Sequence, residues 1–345
     1  MNVRLPHVAA ICSLLIAACS GGDPDAPAQG ITPGGGGTKD PPATSSGGTP
    51  TTPTTPTTPS TPTQSDTWND GKVLTASVDI VAGAVITIAP GAKITANAGV
   101  TVTVHGSIEG AAKDNHAKIS GTGWGGIVVA TGGALTLSGV DLDGGGIRAN
   151  TGNKSATYDY GTITSGAFVV DKGATLATHH AAFVKGGSTT VAGAFTATFL
   201  DYSGSDITLG DPSATVSVAD SKLTASGGDF FVSSSGALLH VEYSVITGSH
   251  CPFHFSALGK YTLDHVATRG NGYGQMFYNS DTTPNTISFS SFEDPSFDQT
   301  DRANQIEIDH TYIKAKSTVG IVKITSAATA PVAAAAPRGA PGPKG

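Results

Sequence analysis

From residue 83 onward one short word keeps returning: a Gly-Ala pair, or a near variant, followed by alternating apolar residues. It reads Gly83-Ala84-Val85-Ile86-Thr87-Ile88, then Gly99-Val100-Thr101-Val102-Thr103-Val104 and Gly133-Ala134-Leu135-Thr136-Leu137. Gly173-Ala174-Thr175-Leu176, Gly193-Ala194-Phe195-Thr196 and Gly236-Ala237-Leu238-Leu239-His240-Val241 continue it, with the stretch 212–218 in the same place between the last two. The interval settles near 20–23 residues from Gly133 onward. A second word travels with the first: Val140-Asp141, Leu200-Asp201, Ala219-Asp220, Val241-Glu242, Leu263-Asp264 and Ile308-Asp309. A sustained period of this size is the signature of a solenoid, in which each unit buries its apolar side only against its neighbours.

Helical repeats need apolar positions every three to four residues over ten or more, and no stretch here has them. The units hold strands of three to five residues, and Gly or Asp stands where the chain must turn. Aliphatic residues dominate the apolar content, with only 2 Met and 2 Trp in 345 residues. We therefore expect an all-β chain folded as a single-stranded parallel β-helix over 67–326, of eleven or twelve coils. It should be right-handed, as parallel crossovers are. Val, Ile, Leu and Phe should form inward ladders, while Thr and Ser decorate the outside. Trp68 belongs to the first coil or its cap, and 306–324 to the last strands. Trp124, in Gly123-Trp124-Gly125-Gly126-Ile127, packs over a turn on this reading. A sugar-stacking role is its alternative.

The run Val85-Ile86-Thr87-Ile88-Ala89-Pro90-Gly91-Ala92, then Val102 to Ile108, then Trp124-Gly125-Gly126-Ile127, resembles the first coils of secreted right-handed β-helices of the pectate-lyase-like superfamily. In layout the chain is similar to bacterial lipoproteins of the myxobacterial type. The resemblance implies a fold and little about chemistry, since that scaffold carries lyases, hydrolases, adhesins and structural proteins.

The ends extend this reading. Residues 1–18 have the layout of an export signal, with Arg4 ahead of an uncharged apolar stretch too short to span a membrane comfortably. It ends in Ile16-Ala17-Ala18-Cys19-Ser20, which resembles a bacterial lipobox. That implies lipidation of Cys19 and, with Ser20 next, delivery to the outer membrane. Residues 20–66 hold 10 Pro and 12 Thr, a composition that cannot bury enough apolar surface to offset its own ordering. We read 19–66 as a disordered tether. The Ala/Pro/Gly-rich 327–345 is expected to be a disordered tail.

Candidate chemistry is sparse. The densest polar cluster runs Gly248-Ser249-His250-Cys251-Pro252-Phe253-His254, then Asp264-His265 and Arg269-Gly270-Asn271-Gly272-Tyr273. His250 and Tyr273 should share one ridge. Cys251, His254 and His265 are metal-ligand types without a recognisable ligand spacing, so no metal is assigned. Trp124, His250, His254, His265 and Tyr273 are the ligand-binding candidates. For an enzyme the candidates are Asp264 and Arg269, or the carboxylates Glu293, Asp294, Asp298 and Asp301. Calcium enters only for a lyase, through a stacked ladder of Asp201, Asp220, Glu242 and Asp264. Of the polygalacturonase-type motifs, Gly248-Ser249-His250 alone corresponds faintly to Gly-His-Gly.

A net charge of −7 supplies no basic footprint for nucleic acid. The glycine-rich stretches flank β-turns rather than open a helix, so no nucleotide cofactor is expected. The expected function is structural, adhesive or polymer-binding at the cell envelope, with a polysaccharide or an envelope or matrix protein as partner. The alternative is a polysaccharide lyase or glycoside hydrolase.

Overall fold

A computed structural model describes residues 65–233, 236–255, 260–277, 285–298, 306–315, 318–319 and 322–343. Among the described residues every strand pairs in parallel with its equivalent in the next coil, the strands at the two ends of each sheet having one neighbour and the rest two. Three sheets result, of 13, 12 and 12 strands, which we number 1, 2 and 3 in the order the chain visits them. Asp66–Trp68, Val73–Leu74 and Val78–Ile80 open sheets 1, 2 and 3. Val322–Ile324 is the last strand of sheet 1. This is a stacked parallel β-solenoid, close to the expected number of coils.

Period-two patterning explains each strand. In Val85–Ile88 the second and fourth residues are buried and the first and third face outward, and Thr175–His179 alternates in the same way. Ile80, Ile86, Ile94, Val102 and Ile108 fill the first coils. Further along, Phe168, Phe183, Phe195, Tyr202, Phe231, Phe253 and Phe277 take over the interior. Their rings pack edge-on or stacked from coil to coil, as with Phe168 on Phe183 at 4.4 Å and Phe231 on Phe253 at 5.6 Å. Each such side chain contributes on the order of 1.5–3 kcal/mol by burial. Trp68 is buried in the first strand, and its carbonyl accepts a hydrogen bond from Ala89 N at 3.0 Å.

From Tyr160 onward the corner between sheets 1 and 2 has two residues, and both are used. The first adopts positive φ: Tyr160, His180, Phe199, Asp220, Tyr243, His265, Phe289 and His310 all do so, although none is glycine. From Tyr160 to Phe289 that strain is offset because each N–H continues the ladder, as in His180 to the Thr198 carbonyl and Tyr243 to the Asp264 carbonyl, both at 3.0 Å. The second residue turns inward. Ser221, Ser244, Ser290 and Thr311 are buried there. The Ser290 hydroxyl accepts from Val266 N at 3.0 Å and donates to the Ser288 carbonyl at 2.8 Å.

The outward residues of this corner form a column of rings. Tyr160 stacks on His180 at 5.4 Å, and His180 on Phe199 at 4.5 Å. Beyond Asp220, Tyr243 stacks on His265 at 4.4 Å, His265 on Phe289 at 5.1 Å, and Phe289 on His310 at 5.0 Å. Asp220 interrupts the column, and a guanidinium fills the gap. Arg338 Nε and Nη2 reach its two carboxylate oxygens at 2.8 and 2.6 Å while lying 3.9 Å over the Tyr243 ring.

Arg338 belongs to the segment expected to be a disordered tail. Residues 327–343 instead run back along the outside of the solenoid. Ala327 bridges to Thr311, Ala335 is buried with Val332 beside Val245 and Ala267, and Gly342 N donates to the Phe199 carbonyl at 2.7 Å. The small residues are what permit so close an approach. A Cβ on Gly339 would stand 2.7 Å from Phe199 Cε1.

Candidate functional site

The outward face of sheet 1 carries an unbroken register of mostly hydroxyl side chains. Thr67, Thr87, Glu109, Thr136, Thr157, Ala177, Thr196, Ser217, His240, Thr262, Thr286 and Glu307 pair in sequence, one per coil. At a strand spacing of roughly 4.8 Å the column runs about 50 Å. Thr87 Oγ1 donates to Glu109 Oε1 at 3.1 Å, which ties two of its rungs together.

The corner between sheets 2 and 3 is irregular and polar. Its regular part is a buried ladder. Asn271 Oδ1 accepts from Ser249 N at 2.9 Å and from Ser249 Oγ at 2.7 Å, while Asp294 accepts from Asn271 N at 3.0 Å and Asn271 Nδ2 at 2.9 Å. Next to it, residues from three coils meet. His254 stands in Phe253–Phe255 of sheet 3, in register with Val232 before it and Met276 after it. Its Nδ1 lies 2.6 Å from Asp229 Oδ2. Cys251 is fully buried, and its N–H donates to Asp229 Oδ1 at 3.2 Å. Its Sγ is 3.3 Å from His250 Nδ1 and 3.5 Å from Met276 Sδ. His250 Nδ1 is also 3.6 Å from Asp229 Oδ1. Burial pushes the Asp229 carboxyl up, yet its bond to His254, that ring's charge, the Cys251 contact and His250 bring it net below its ordinary value.

His250, Cys251 and His254 therefore come together, and Tyr273 joins them by stacking on His250 at 5.6 Å, as the shared ridge required. His265 does not. It sits in the column at the other corner, with Nδ1 3.0 Å from Asp264. Trp124 is unavailable for stacking against a sugar: it is 3% exposed, and its Nε1 donates to the Asp143 carbonyl at 2.9 Å. Gly145 lies under its ring, where a Cβ would come within 2.4 Å of Cε2.

The enzyme candidates in the described residues are engaged by different partners. Asp294 is buried as the acceptor of Asn271, Glu293 takes the Ser291 hydroxyl at 3.4 Å, and Asp298 takes the Tyr273 hydroxyl. Asp264 accepts from Ser288 Oγ at 2.7 Å, and Arg269 is exposed at the second corner. Asp301 and Cys19 lie outside the described residues. Of the acidic ladder offered for calcium, only Glu242 and Asp264 stack in register. The residues in register are Thr198, Ala219, Glu242 and Asp264. Asp220 falls one residue later, in the corner, and Asp201 opens a strand of sheet 2. Coil lengths differ by a few residues, so equal spacing in sequence does not place all of these acids on one ridge.

Sequence reading missed Asp229 and Met276, each about one coil from Cys251, and the ring column of the first corner. For the column a signal was present: a bulky residue follows the last strand residue of sheet 1 in coil after coil. Comparison with protein-family models, with curated proteins and with solved structures returns no match.

Proposed function

We propose that this protein is a structural and adhesive module of the cell envelope that binds a repetitive polymer, a polysaccharide first of all, along the outer face of sheet 1. The supporting observation is the hydroxyl-rich column from Thr67 to Glu307, in register over its whole length. A repeating ligand can meet one hydroxyl per coil, so many weak hydrogen bonds add along one axis. Rigid backing limits the ordering cost of such contacts. On this reading lipid at Cys19 holds the chain to the outer membrane, residues 20–66 set the solenoid away from it, and the solenoid is of the right-handed pectate-lyase-like kind. The separation of Glu293, Asp294 and Asp298 into different hydrogen-bond partnerships favours binding over turnover.

The test is sedimentation of the full-length protein with insoluble cell-wall and matrix polysaccharides, with product release followed in parallel. Saturable binding should weaken at least tenfold when Thr136, Thr157 and Thr196 are replaced together by Lys, with the melting temperature unchanged. Binding indifferent to those three changes would overturn the assignment of this face. Release of soluble sugar that Asp264→Asn abolishes would overturn the non-enzymatic reading.

A further inference from the structure

The Ser249–Asn271–Asp294 ladder shows how this solenoid satisfies an ordinary polar corner: amide, hydroxyl and carboxylate complete one another within it. The neighbouring group is of a different chemical kind. It gathers a thiol, two imidazoles, a carboxylate and a thioether, contributed by three successive coils. The ligand atoms of Asp229, Cys251 and His254 all lie within 4.8 Å of one another.

We infer that this corner is a transition-metal site of the zinc class, with Cys251 Sγ, His254 and Asp229 as ligands; His250, beside Cys251 and Asp229 but outside that three-residue group, turns in to complete the donor set. Zinc binds sulfur at about 2.3 Å and imidazole nitrogen at about 2.0–2.1 Å, so the ligand atoms of a tetrahedral site stand roughly 3.3–3.8 Å apart. Cys251 Sγ to His250 Nδ1 at 3.3 Å and His250 Nδ1 to Asp229 Oδ1 at 3.6 Å already have that separation. Asp229 and His254 are closer, at 2.6 Å, because a proton now joins them. A cation replaces that proton and separates the pair by about 1 Å. On binding, the thiol and any protonated imidazole release their protons to solvent. The carboxylate and thiolate then balance the charge of a divalent ion.

The donor set excludes the hard cations, which take oxygen ligands throughout. A zinc-class ion, by contrast, accepts sulfur, nitrogen and oxygen together. Access is available. A surface depression lined by Ser205, Asp206, Ser226, Gly228, Asp229 and Val232 leads to the carboxylate, and the His250 side chain is 39% exposed. The inference does not depend on polymer binding along sheet 1.

Cobalt(II) titration of the full-length protein tests the site, because a thiolate ligand gives a near-ultraviolet charge-transfer band and tetrahedral coordination gives intense visible bands. We expect both bands to saturate at one equivalent and to disappear when zinc is added. Cys251→Ser should abolish the charge-transfer band. His254→Gln, at the outward position of its strand rather than in the interior, should weaken binding at least tenfold while the far-ultraviolet circular dichroism stays unchanged. Wild-type protein without either band, or bands unaltered in both variants, would overturn the site. Displacement by copper(I) but not by zinc, with loss in Met276→Leu, would overturn the zinc-class assignment.

Discussion

Among single residues, Asp220 carries the most consequence. It stands in a column otherwise made of rings, and its side chain is only 5% exposed. A carboxylate so placed is stable only with a partner, and Arg338 supplies both fork nitrogens and a backbone N–H. The Arg338 hydrogen bonds hold the Asp220 carboxyl below its ordinary value, against the opposing effect of burial. With a folded-state value depressed, the stabilisation is complete above the unfolded carboxyl range near pH 4. It is lost as the pH falls through the folded value. Acid unfolding followed by fluorescence should therefore show a wild-type advantage over Arg338→Ala at pH 7 that shrinks to nothing at the acid end. An advantage that persists at low pH would assign the effect to the stacking of Arg338 on Tyr243 instead.

Among elements, the two-residue corner between sheets 1 and 2 is the recurring joint. Its inward hydroxyls satisfy backbone groups that the turn would otherwise leave buried without partners. Replacing Ser290 by Ala strands the Val266 N–H, which accordingly should cost about 1–3 kcal/mol. Ser290→Thr should be nearly neutral, since Thr311 serves at the equivalent place and accepts from Ser290 N at 3.2 Å. Urea midpoints of the two variants decide this. Equal losses would point to packing rather than to the hydroxyl. The strands of this joint are readable in sequence because alternation and Gly-Ala words mark them locally. What sits opposite what is not. Successive strands of sheet 1 are offset by 27 residues at Ser107 and Ala134 but by 19 at Thr175 and Ala194. Counting residues therefore brings His250, Cys251 and His254 together, as chain neighbours, but cannot bring in Asp229 from the coil before or Met276 from the coil after.

For the whole molecule, the tail is what composition misjudges. Ala, Pro and Gly bury little when taken alone, and the surface that receives them is assembled by coils far earlier in the chain. Arg338 and Asp220 are 118 residues apart in sequence. Deleting residues 331–345 should leave the β-sheet circular dichroism in place and lower the melting temperature, with Val245 and Ala267 newly open to solvent. An unchanged melting temperature would make the tail a passenger. Its direction has a further result. A solenoid comes apart most readily by peeling, one rung after another from a loose end. Here the chain doubles back from the coil of Thr311 to the coil of His180, six rungs earlier in sheet 1. A force on the last described coil is thus shared with the middle of the stack as shear, because the segment that follows it is strapped to earlier rungs.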